Sequence, residues 1–223
     1  PGLRFFSNQF VIHNTGRIRR DYVGGLNTIA AIEAVPALRL SEFWLEQSLA
    51  GGAVRLRAGQ LAADISFFFA ETSFLFLQVD RPTISAANLP SGGPAYPLAT
   101  PGIQAEWDPA PGWTLRAGFF NGDPAGPGPG DEQARNRNGL DWRLRDRALL
   151  LGEAQWRTGQ EAGLARTLKI GGWAHLGRFD SERRAAEFGP LADPAGSGVP
   201  LRRRGNGGGY AVIEQQLFRP AGG

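Results

Sequence analysis

Acids and arginines recur in this chain at spacings that put them on one side of extended segments. Glu42, Glu46, Asp141, Glu153 and Glu214 stand among Arg55, Arg57, Arg116, Arg143 and Arg157, with Trp44 and Trp173 on the same faces. Carboxylates and guanidinium forks hydrogen-bond hydroxyl groups in competition with water, and an indole face stacks on apolar C–H surface. The set suits contact with a hydroxyl-rich solute, and serves equally as an ion-pair network bracing a wall. Its mixed signs oppose strong ion selectivity, because rings of opposite charge cancel much of each other's field.

Catalysis fits these residues poorly. In an extended chain Glu42 and Glu46 have Cα atoms about 13 Å apart, too far for the paired carboxylates of a glycosidase without convergence of their side chains. His13 and His175 have no acids at metal-ligand spacing, so no metal is expected. "GNGGGY" (205–210) lacks the lysine and helix of a phosphate loop, and "NGDPAGPGPGD" (121–131) lacks the regular oxygens of a calcium loop. No serine sits in a nucleophile elbow. The chain has no cysteine, which excludes disulfides and thiolate metal sites. We expect neither enzymatic activity nor a cofactor. Of the 24 basic residues 23 are arginine, with Lys169 the exception, but they are scattered among acids. Nucleic acid, which calls for a clustered basic surface, is therefore not an expected partner.

The elements that position these residues are short alternating segments. "ALRLSEFWLEQSL" (37–49) turns at "AGG" into "AVRLRAGQ" (53–60). "GIQAEWDP" turns into "GWTLRAGFF", "LDWRLRD" into "LLLGEAQWRTG", and "TLKIGGWAHLG" precedes a polar stretch from 177 to 207 and "GYAVIEQQLF". "LRFFSNQFVIHN" and "GLNTIAAIEA" form another pair. Period-two alternation thus predicts about ten strands. Thirty-two glycines and sixteen prolines divide the chain in this way, and no run of about 18 apolar residues could form a membrane-spanning helix.

Each strand has an apolar and a polar side. Val54, Leu56 and Ala58 oppose Arg55 and Arg57; Trp113, Leu115, Ala117 and Phe119 oppose Thr114, Arg116 and Gly118. Leu140, Trp142 and Leu144 oppose Asp141, Arg143 and Arg145; Leu150, Ala154 and Trp156 oppose Glu153, Gln155 and Arg157. Leu168, Ile170, Ala174 and Leu176 oppose Lys169, Trp173 and His175, and Phe43 and Leu45 oppose Glu42, Trp44 and Glu46. A soluble all-β carbohydrate-binding module would turn the apolar side inward. A transmembrane β-barrel turns it to lipid and lines a wet lumen with the charges. Strands of about 9–11 residues, short turns alternating with long loops, and Trp113, Trp142 and Trp156 near strand ends favour the barrel.

"NLPSGGPAYPLATPG" (88–102) can be neither helix nor inner strand, and its apolar members argue that it folds against something. With "RLSEFWLEQSL", "RLRAGQLAAD", "ISAANLPSGGPAYPLATPG", "FFNGDPAGPGPGD", "RNRNGLDWRL" and "YAVIEQQLFRP", the chain resembles the carbohydrate-selective porin family (OprB type) of Gram-negative outer membranes, from about residue 20 to its end. The resemblance implies an all-β, antiparallel sixteen-stranded barrel that passes sugars by diffusion, with outer-membrane lipid as its surroundings. About ten strands, a start at Pro1 and a final hairpin cut short lead us to expect residues 1–223 to be one barrel domain incomplete at both ends, an internal fragment. Within it, the long loop region 61–101 is expected to narrow the channel, with Asn88, Pro90, Tyr96 and Pro97 in the constriction. Self-association is left open by the sequence.

Overall fold

The computed structural model describes residues 2–15, 22–24, 30, 32–76, 89–159 and 163–219. Among them are eight strands: β1 (Leu3–Ile12), β2 (Ala37–Leu49), β3 (Val54–Leu61), β4 (Thr100–Trp107), β5 (Trp113–Asn121), β6 (Ala148–Thr158), β7 (Arg166–Ala185) and β8 (Pro200–Gln215). They form a single antiparallel sheet in the order β1 to β8, each strand paired with its sequence neighbours. The connections at one end are short (50–53, 108–112, 159–165); at the other they are long (13–36, 62–99, 122–147, 186–199).

The apolar side of the sheet is exposed and the charged side is covered. Ile103, Ile170 and Ile213 are 57%, 60% and 71% exposed, whereas Glu46, Glu153 and Lys169 are 3%, 5% and 3% exposed. A soluble module would bury those isoleucines, since each buried aliphatic side chain contributes roughly 1.5–3 kcal/mol. At the short-turn end the exposed face carries Trp107, Trp113 and Trp156, the last two stacked at 6.3 Å across β5 and β6. Amphipathic rings there match an interfacial girdle.

The structure corrects the strand count. Residues 140–145 are not a strand but part of the long β5–β6 connection, which crosses to the edge of β2 left free where β3 ends. There Leu40 N–H donates to the Asn138 carbonyl at 3.0 Å, and the Gln60 amide donates to the Gly139 carbonyl at 2.9 Å. The alternation of Leu140, Trp142 and Leu144 arises from an extended loop lying against the rim, where Trp142 meets the exposed Phe43 at 5.8 Å. Removing that strand also places 159–165 among the short turns. "GLNTIAAIEA" lies mostly outside the described residues, and β1 pairs instead with β2. The polar stretch 177–207 is largely strand, because β7 and β8 run on past the apolar band, where polar side chains occupy both faces.

Candidate inner wall and crossing loop

The register stacks the inward side chains in rows across neighbouring strands. One row runs Arg55, Glu106, Arg116, Glu153, Gly171, Tyr210, each the register partner of the next from β3 to β8. Its members are bonded almost without a break. Arg55 reaches Glu106 at 2.5 Å and Asp108 at 2.7 Å, Arg116 bridges Glu106 and Glu153 (2.9 Å to the latter), and the Tyr210 hydroxyl donates to Glu153 at 2.7 Å. Gly171 makes the last link possible. A Cβ there would lie 2.3 Å from the Tyr210 ring, so only glycine lets that ring lie across β7 to the carboxylate of β6.

The next row is Arg4, Glu46, Arg57, Gln104, Gly118, Leu151, Trp173, Gly208. Glu46 accepts from Arg4 and from Arg57, the latter at 2.8 Å. Arg57 also lies 4.0 Å from the centroid of the Trp44 ring, and Phe6 stacks on Trp44 at 4.8 Å. Trp44, donating its indole N–H to Glu42 at 3.2 Å, is 6% exposed and has little face to offer a solute. Trp173 differs. Its ring lies over Gly208, where a Cβ would sit 2.2 Å from it, and it borders a cavity of about 1050 Å³ also lined by Pro90, Phe179, Arg203 and Asn206.

A third row, Phe6, Trp44, Gly59, Gly102, Phe120, Leu149, His175, turns the wall apolar toward the long-loop end. Here the inner face receives the first half of the β3–β4 connection. Phe67 and Phe68 are buried with Leu61, Leu89, Phe120, Leu149 and Leu151, against Trp173 and Tyr210. The segment continues across the wall in steps. Phe68 N–H donates to the Tyr210 hydroxyl at 3.1 Å, Lys169 Nζ to the Phe69 carbonyl at 2.7 Å, and Thr72 donates to Glu214 through its N–H (2.8 Å) and hydroxyl (3.0 Å). Residues 62–76 therefore form a strap over the inner faces of β5 to β8.

The proline-rich part of the same connection serves as the strap's clamp. Pro94 accepts from Ala63 N–H at 2.6 Å, and Tyr96 N–H donates to Asp64 at 2.9 Å. Tyr96 also packs on Phe10 at 5.3 Å and donates to the Ile32 carbonyl at 3.0 Å, while Pro97 and Leu98 are buried. Burial pushes the Asp64 carboxyl up to about 6, helped by the neighbouring Glu42 charge and opposed by the Tyr96 N–H.

Of the residues singled out by sequence, Glu42, Trp44, Glu46, Arg55, Arg57, Arg116, Glu153, Arg157, Trp173 and Glu214 all belong to inward positions of the strands. Arg157 stands near the short-turn end beside the Gln155 amide, whose oxygen accepts from the guanidinium once that amide is turned end for end. Arg143 is corrected: it is a loop residue, paired with Asp146 at 2.5 Å, and not a wall group. Asp141 lies in the same loop, and Asn88 lies outside the described residues. The crossing side chains are Phe67, Phe68, Phe69 and Thr72, whereas Pro90 borders the cavity and Tyr96 and Pro97 hold the clamp. Glu106, Gln104 and Tyr210 were missed. The alternation in "GIQAEW" carries the first two; Tyr210 is signalled only by the glycines opposite it. Among the described residues no group of three His, Cys, Asp or Glu is placed to hold a metal.

Comparison with known proteins bears on this arrangement. The profile of the carbohydrate-selective porin, OprB family, matches residues 5–223. The solved structure of Pseudomonas putida OprB at high pH superposes with a TM-score of 0.69 at 17% sequence identity, over 86% of this chain and 44% of that one. The chain thus spans less than half the length of that structure, and the likeness is one of fold. No curated protein matches the sequence.

Proposed function

The chain belongs to the carbohydrate-selective porin family of the OprB type, and from that premise we propose that it forms part of an outer-membrane barrel through which sugars diffuse. One observation carries the reading: an exposed apolar face backs a covered row of alternating charge, Arg55–Glu106–Arg116–Glu153–Tyr210. Apolar exposure suits lipid, and a neutralised polar wall suits an uncharged, hydroxyl-rich solute more than an ion. The strap of residues 62–76, clamped by 89–99, supplies the bulk that narrows the lumen. Trp173 offers a flat ring for the C–H face of a pyranose, with Asn206 and Arg203 near it as hydrogen-bonding groups.

The passage is diffusive. Donors and acceptors on the wall replace part of the water lost by the sugar, weakly enough for release at the far side. Glu46, Glu106 and Glu153 are held by arginines rather than placed as a proton donor beside a nucleophile, and we propose no catalytic step. Liposome swelling with the full-length protein tests the function. Glucose and maltose should enter faster than through empty liposomes, at rates falling with solute size; rates equal to those of empty liposomes would refute it.

A further inference from the structure

Above the apolar band, the outer face of β7 and β8 carries a pair of like charges that nothing in the sheet neutralises. His175, Gly177 and Phe179 share the inner side: the His175 and Phe179 rings meet at 5.1 Å, and a Cβ on Gly177 would point at both. Arg203 faces the inner cavity with Trp173. Arg178 and Arg204, exposed and adjacent to these, therefore point outward, on the side of Leu168, Ile170, Ala174 and Leu176. They are direct register partners, which places their Cβ atoms about 4.5–5.5 Å apart, where like charges destabilise a sheet. The register pair two positions further on, Asp180 and Arg202, solves the same problem internally with an ion pair at 3.4 Å. Among the described residues Arg178 and Arg204 have neither an ion pair nor a hydrogen bond from their side chains.

Their height is informative. Leu168 to Leu176 covers about 26 Å of tilted strand, close to one hydrocarbon crossing of about 9–11 residues. Arg178 comes two residues later, beyond the level at which β6 starts, since Leu149 pairs with His175. On the long-loop side, this is the depth of lipid headgroups. Two guanidinium forks held side by side match the charge and oxygen geometry of one phosphomonoester, which can accept bidentate bonds from both.

We propose that Arg178 and Arg204 form a docking site for the phosphate headgroup of a membrane lipid in the leaflet next to the long loops. The bound phosphate replaces repulsion between the arginines by two charge-assisted contacts and fixes the hairpin of β7 and β8 at the membrane surface. The site rests on the barrel reading only for its placement in a membrane.

Native mass spectrometry of the full-length porin, first shown to insert into bilayers and pass sugar, tests the proposal. Micelles carrying phosphatidate or phosphatidylcholine supply the lipid. Phosphatidate should be retained in preference to phosphatidylcholine, and Arg178→Gln with Arg204→Gln should cut its retention about tenfold. Arg178→Asp, which creates an internal ion pair with Arg204, should abolish it, while Arg202→Gln should leave most of it. Equal retention of both lipids, undiminished binding by the double variant, or full displacement by inorganic phosphate at the lipid's concentration would overturn the site. Failure to pass sugar in that preliminary test would instead count against the channel reading, and would leave the lipid comparison to judge the site.

Discussion

The backbone N–H of Phe68 donates to the hydroxyl of Tyr210 at 3.1 Å, and the two rings lie 4.9 Å apart. The same hydroxyl donates to Glu153 at 2.7 Å. One wall tyrosine thus joins the strap to the charged row, and Gly171 leaves the gap through which it reaches. Tyr210→Phe should keep the ring packing and lose both bonds, at a cost of roughly 1–3 kcal/mol from the buried groups left unpaired. Thermal unfolding should register that loss, and open-channel current should become noisier as the strap loosens. Gly171→Ala, which pushes the ring away, should do the same. Quiet, unchanged current in both variants would show that the strap is held by other contacts.

Orientation has a direct readout. In the membrane-inserted protein, cysteines at 57, 116 and 169 should react with a membrane-impermeant thiol reagent, and cysteines at 56, 115 and 170 should not. The register of β3, β5 and β7 makes these neighbours point to opposite sides. Labelling of the second set instead would mean that the apolar face meets water.

The two inward tryptophans should separate stability from solute contact. Trp44 is nearly covered, with Phe6 and Arg57 against its ring, so Trp44→Ala should cost about 3–5 kcal/mol, as for other buried aromatic truncations. Trp173→Ala should lower stability less and weaken sugar block of ion current several-fold. Unaltered sugar block in Trp173→Ala would remove it from the solute path.

Asp64 ties loop stability to pH. Its carboxyl is raised from an ordinary 3.8 to about 6, with burial the largest cause, and its Oδ1 is buried without a hydrogen-bond partner. The folded form therefore favours the proton. The stabilisation this gives is complete below the unfolded value and is lost as pH rises through the folded one. Asp64→Asn, which keeps an acceptor for Tyr96 N–H, should unfold a few degrees higher than the parent at pH 7. The gap should close toward pH 4. A gap independent of pH would mean that the carboxyl does not titrate in this range.

The sequence displayed the strands that cross the apolar band, because one exposed apolar face and one covered polar face enforce period two. It hid the outer halves of β7 and β8, since polar residues occupy both faces above the band and leave no alternation. It suggested a false strand at 140–145, where Leu140, Trp142 and Leu144 alternate in a loop resting on the rim. The inward charges were likewise visible as residues on strand faces, apart from Asp141 and Arg143. Their partners were not, since the link from Glu153 to Tyr210 spans 57 positions and depends on an absent side chain at Gly171. "NLPSGGPAYPLATPG" announced a folded loop, yet the adjoining phenylalanines make the crossing. Only their packing against Phe120, Leu149 and Leu151 distinguishes them from the exposed apolar residues of the sheet.

Single-channel recording of the full-length protein in planar bilayers, with and without maltose, tests the central claim most directly. A neutralised, hydroxyl-binding lumen narrowed by residues 62–76 predicts weak ion selectivity and a current that falls as maltose is added. It further predicts larger conductance and weaker sugar block when Phe67 and Phe68 are replaced by alanine in a barrel that remains folded. A strongly ion-selective current that maltose leaves unchanged, with or without those phenylalanines, would contradict it.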